Sequence, residues 1–174
     1  LRALLIRLAE AGGMLERLGS GIESLDKHQR AALYRLGVRV GQLDLFVPAM
    51  LKVRPLAVWR ELAALGGAKM PPPEPAMPPV LNRGKGAPPP GYRQLGQQAI
   101  RLDIAEKLLR EAHEARTLAG RRPFPLDPAR AISAGLATAS YARLLRQAGF
   151  QPLVPRPLPE GVCGPPAPLV WRWR

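Results

Sequence analysis

Apolar positions recur at helical spacing along the first seventy residues. Leu1, Leu4, Leu5 and Leu8 mark one face of a helix that Gly12-Gly13 breaks. Met14, Leu15 and Leu18 form a second short segment, closed by Gly19. Asp26 is placed to cap a third helix and Gly37 to end it. Val38-Arg39-Val40-Gly41 has room for one strand-like step. Leu43, Phe46, Val47, Met50 and Leu51 then follow the i, i+3, i+4, i+7, i+8 rule. They predict a helix with Pro48 in its first turn. Pro55 opens another helix, with Leu56, Trp59, Leu62 and Ala63 toward the core and Gly66-Gly67 as its stop.

Between 71 and 91 the pattern lapses. Pro71-Pro-Pro-Glu-Pro75, Pro78-Pro79 and Pro88-Pro-Pro90 disfavour both helix and central strand, so this stretch reads as a semi-rigid spacer. Tyr92 to Leu95 has the composition for a brief pairing after it.

Periodicity returns with Ile104, Leu108, Leu109 and Ala112, behind Asp103 and Glu106 at capping-box spacing, which predicts a helix over about 103–118. Asp127-Pro128 starts the next helix, with Leu126 and Ala131 at staple positions. The run Ala131 to Arg146 then has the spacing of two helices crossing through a tight turn. Ala131 permits close approach, Gly135 ends the first helix, and Tyr141, Leu144 and Leu145 turn the second inward. The outward face of that second helix carries Ser140, Arg143, Arg146 and Gln147. After Gly149 come a short strand, Phe150 to Val154, a loop holding Pro157, Pro159, Pro165, Pro166 and Pro168, and the alternating segment Leu169 to Arg174. The predicted order is helix, helix, helix, strand, loop, strand, that of a winged helix-turn-helix. The expected fold class is therefore mainly α: a helical module over 1–70, a proline-rich linker over 71–98 and a winged-helix-like module over 99–174.

Charge adds a candidate chemistry. The chain has 26 Lys+Arg against 13 Asp+Glu, a formal net charge of +13. The excess is shared: 11 positive and 6 negative side chains in residues 1–70, and 12 and 6 in residues 101–174. Such a surface favours polyanions, nucleic acid first. The candidate contacts are Ser140, Arg143, Arg146 and Gln147, extended by Arg172 and Arg174 on the last strand. Cys163 stands alone, which excludes an internal disulfide and a four-ligand zinc site and points to the cytoplasm. His28 and His113 read as solvated helix positions. No apolar run is long enough to span a membrane, so no membrane partner is expected. There is no phosphate loop, no acidic box for magnesium and no nucleophile elbow, so no catalytic, cofactor or metal residue is assigned. Gly84-Lys85-Gly86 lacks the flanking strand and helix that a phosphate loop requires. Leu1 begins within a helical pattern, from which a fragment of a longer or processed protein is expected.

One stretch resembles a known family. Leu25-Asp26, Arg30, Leu33, Arg35-Leu-Gly-Val-Arg39-Val-Gly41 and Leu45-Phe-Val-Pro48-Ala-Met-Leu-Lys52 are similar to the C-terminal accessory region of bacterial superfamily-two ATP-dependent helicases, relatives of the mitochondrial RNA-degradosome helicase. Ala99 to Leu108, Arg122 to Leu126 and Leu144 to Phe150 resemble that region more loosely. The resemblance implies two upstream motor domains as partners, with ATP and Mg bound there and none in this chain. It implies a role in contacting or guiding an RNA or DNA strand. The other reading is a protein-docking module built on Trp59, Trp171, Trp173 and the proline segment, with no direct nucleic-acid contact.

Overall fold

The structure is a computed structural model and describes residues 1–68, 77–83, 87–155, 164 and 169–174. It separates into two compact units, Leu1–Glu106 and Lys107–Arg174. The expectation of a mainly α chain is not met. The described residues are 44% helical and 19% strand, and they hold three antiparallel sheets of three strands each.

In the first unit, α1 (Arg2–Glu10) precedes β1 (Met14–Glu16), a 3₁₀ turn at Ile22–Ser24 and α2 (Lys27–Arg35). Asp26 caps α2 through a full capping box: its Oδ1 accepts from Gln29 N at 2.7 Å, and the Gln29 side chain accepts from Asp26 N at 3.1 Å. The short strands β2 (Arg39–Val40) and β3 (Asp44–Phe46) follow, and β3 lies between β1 and β2. This overturns the helix read over Leu43 to Leu51. The apolar spacing there is coincidental with a buried central strand, in which Asp44, Leu45 and Phe46 are all buried. Pro48 then lies in a turn, with Met50 N donating to Val47 O. Met14 to Glu16 is likewise extended, because its partner strand is β3. Leu4, Leu8, Ile22, Leu33, Val38 and Leu45 form one core cluster, with Leu5, Leu15, Leu25 and Val47 against it.

α3 (Val53–Leu65) buries Leu56 and Arg60, whereas Leu62, read as a core position, is exposed. Part of the expected linker is a second sheet: β4 (Val80–Asn82), β5 (Tyr92–Leu95) and β6 (Gln98–Arg101), in the order β4-β6-β5. Gly96, at φ 79°, occupies the first loop position of the two-residue hairpin joining Leu95 to Gln98. Residues 71–76 of the proline spacer and Gly84-Lys85-Gly86 lie outside the described residues.

Two carboxylates tie this unit together. Asp44, 2% exposed, accepts from Arg93 Nη1 at 2.6 Å, and Arg93 Nη2 reaches Glu16 at 2.9 Å. Burial holds the Asp44 carboxyl up at about 6 in spite of Arg93. Glu106 accepts from the backbone N–H groups of Gln42 (3.0 and 2.8 Å) and Leu43 (3.3 Å). Gly41 lies against it, where a Cβ would come within 2.2 Å of the Glu106 Cδ.

α4 (Leu102–Ala119) contains the division between the units. The second unit continues with β7 (Phe124–Pro125), α5 (Ala129–Ser133), α6 (Thr138–Gln147), β8 (Phe150–Leu153) and β9 (Val170–Trp173). β9 is the central strand, flanked by β7 and β8. Each flanking strand carries a proline, Pro125 and Pro152, which suits an edge that needs one fewer donor. Asp127 Oδ1 accepts from Ala129 N at 2.9 Å and so holds the start of α5. Gly135 and Gly149 both have positive φ, 90° and 97°. His113 is not a solvated helix residue. Its ring centroid lies 4.9 Å from that of Phe150 and 4.8 Å from that of Trp173. Its Nε2 is buried without a partner, and burial, with the nearby Arg116 charge second, lowers its pKa.

Candidate nucleic-acid interface

Helix α6 is sharply two-sided. Ser140, Tyr141, Leu144 and Leu145 are buried, and Arg143, Arg146 and Gln147 are exposed. Residues 143, 146 and 147 share one face because they are three and four apart. Ser140 belongs to the other side: at 8% exposed it is an interior residue, which corrects its placement on the outward face. It stands at the border of the two faces, three residues before Arg143 and four before Leu144, and is covered there.

Strand β9 supplies the remaining candidates. Trp171 points into the core at 3% exposed, and Arg172 and Arg174 are exposed. Arg172 stands opposite Gln151 in the β8–β9 register, and its Nε and Nη2 donate to Gln151 Oε1 at 3.3 and 3.1 Å. Gln151 thus orients a cation without neutralising it. Nothing in the linear order announces this pairing, because residues 154–169 separate the two strands. Cys163 and the prolines at 157, 159, 165, 166 and 168 lie outside the described residues.

The electrostatics of the unit are uneven. Residues 107–174 carry eleven Lys and Arg against four Asp and Glu. The acids are Glu111 and Glu114 on α4, Asp127 before α5, and Glu160. α5, α6, β8 and β9 therefore contain no acidic residue. Arg130 on α5 is paired with Glu111, which removes one cation from the field. Arg116 is stacked over the Trp173 ring, 4.3 Å from its centroid. Arg143 and Arg146 have no such engagement: among the described residues no carboxylate, carbonyl or ring holds either guanidinium. Unpaired guanidinium groups on a helix without acids are suited to phosphate oxygens.

Each tryptophan is engaged within its own unit. Trp59 is half-buried against Gly12 and donates from Nε1 to Ala9 O at 3.0 Å. Trp171 is in the core, and Trp173 packs on Phe150 and Gly149. No set of three or more His, Cys, Asp or Glu is grouped to hold a metal among the described residues. Among them, too, no helix is long and apolar enough to cross a membrane.

Comparison with known proteins finds nothing similar: no family model, no curated protein and no solved structure matches the chain.

Proposed function

We propose that the second unit contacts the phosphate backbone of nucleic acid through Arg143 and Arg146 of α6, with Gln147, Arg172 and Arg174 as further contacts. The observation that carries this reading is a pair of exposed guanidinium groups, unpaired among the described residues, on a helix that contains no acidic residue. The order α4, β7, α5, α6, β8, β9 supports it, since in a winged helix the helix equivalent to α6 is the one presented to nucleic acid. Fold alone does not establish a role, so the charge and exposure of named residues bear the weight.

The sequence resemblance extends the proposal. In this reading the chain is an accessory region of a cytoplasmic ATP-dependent helicase, guiding an RNA or DNA strand relative to upstream motor domains. ATP and Mg then belong to those domains, because this sequence holds no phosphate loop or acidic box to receive them.

The test is binding of labelled RNA and DNA by the full chain as salt is raised. Every aromatic residue described in the second unit is buried or half-buried, so stacking contributes little and phosphate contact dominates. With about three to five phosphate contacts, affinity should fall by roughly one to three orders of magnitude over a few-fold rise in salt. Salt-insensitive binding, or none at low salt, contradicts the proposal.

A further inference from the structure

In the Leu1–Glu106 unit a cleft of about 470 Å³ opens among Phe46, Pro48, Leu51, Val53 and Met77, with Lys52, Arg101 and Asp103 as its polar lining. That volume lies within the range that small-molecule ligands fill. The backbone explains the opening. The chain leaves β3 through the turn at Pro48 and enters α3 at Lys52, so Leu51 and Val53 are left only partly covered.

The charge around the cleft is one-sided. Arg101 holds Asp103 through two bonds, of 2.6 and 3.0 Å, so this pair is internally neutral. Lys52 is exposed and is the N-cap of α3, whose start has no side-chain cap and carries the positive end of the helix dipole. Val53 and Met77 also line a second, water-sized space of about 20 Å³ with Arg60, Leu56 and Tyr92. Arg60 is 9% exposed, its Nε is buried without a partner, and no carboxylate pairs with it among the described residues. A cation that is mostly buried with one nitrogen left without a partner is favoured by a nearby anion.

We propose that this cleft binds a small organic carboxylate. The apolar body lies against Phe46, Leu51, Val53 and Met77, and the carboxylate faces Lys52 and the uncompensated field of Arg60. The proposal is independent of nucleic-acid contact, which belongs to residues of the other unit.

Isothermal titration of the full chain with decanoate, decanol and decyltrimethylammonium, each kept monomeric, tests it. Decanoate should bind at least about tenfold more tightly than decanol, and the cation should not bind. Arg60→Met keeps the stem and removes an unpaired charge, so the fold should be no less stable; decanoate should then come within about threefold of decanol. Val53→Trp, at an exposed position, should fill the cleft and abolish binding without unfolding the unit. Equal binding of decanoate and decanol, no binding of decanoate, or an undiminished preference in Arg60→Met would each overturn the proposal.

Discussion

Arg143 and Arg146 differ from three other arginines of their unit in what surrounds them. Arg130 is paired with Glu111, Arg116 lies on the Trp173 ring, and Arg172 is held by Gln151. Changing both Arg143 and Arg146 to alanine should therefore weaken RNA and DNA binding while leaving stability within about 0.5 kcal/mol, because exposed side chains without partners contribute little to folding. Lys107→Ala with Arg110→Ala is the matched control. Both residues are exposed on α4, and Arg110 stands beside Glu111 and four residues before Glu114. Arg116 is unsuitable as a control, since its removal also uncovers Trp173. Anisotropy titrations and melting curves of the two double variants provide the comparison, and equal losses from both would mean that only diffuse charge is at work. A second residue-scale expectation concerns His113. Its pKa is lowered in the fold, so the unfolded chain takes up the proton first as pH falls below about 6.5. Stability should be lost on that acidic side, and His113→Phe should remove this part of the slope in pH-dependent denaturant melts. A wild type and variant with parallel slopes there would refute the buried placement of the ring.

At the scale of elements, Gly149 is a sensitive joint. It has φ 97°, and a Cβ there would stand 3.1 Å from the Trp173 ring. Gly149→Ala should destabilise the second unit by about 1–3 kcal/mol, read as a drop in chemical-denaturation midpoint. An unchanged midpoint would mean that the turn into β8 is not held as described. The same joint is legible in the sequence, because a glycine that closes an amphipathic helix before a strand marks a left-handed helix end. Helices with caps are legible for the same reason: Asp26 and Gly37 bound α2, and α4 and α6 each show an apolar stripe. Short strands are not. Met14 to Glu16 and Asp44 to Phe46 have no alternation to reveal them, since one is very short and the other is buried throughout, and their pairing is set by residues some thirty positions apart. The sheet of β4, β5 and β6 is hidden by the prolines around it, although Gly96 between Leu95 and Gln98 is a hairpin signal within reach of a linear reading. In the site, charge and helical phase place Arg143, Arg146 and Gln147 outward. They misplace Ser140, whose hydroxyl suggests phosphate contact but which lies at the border between the Arg143 and Leu144 faces and is buried. The pairing of Gln151 with Arg172 is a matter of register and lies beyond linear reading.

For the molecule as a whole, a net charge of +13 is compatible with simple solvation, and the distribution of acids decides between solvation and use. In the second unit α6, β8 and β9 contain no acidic residue, and among the described residues no carboxylate pairs with their arginines. If that arrangement is used, the number of phosphates engaged must depend on particular residues and not on net charge alone. Binding measured between about 50 and 200 mM salt, as the slope of log affinity against log salt, counts those phosphates. Replacing Arg143 and Arg146 with alanine should flatten the slope by about 2, one for each phosphate no longer neutralised, while the Lys107 and Arg110 double variant should keep the wild-type slope. Identical slopes for the wild type and the Arg143 and Arg146 variant would contradict the assignment of α6 as the nucleic-acid contact.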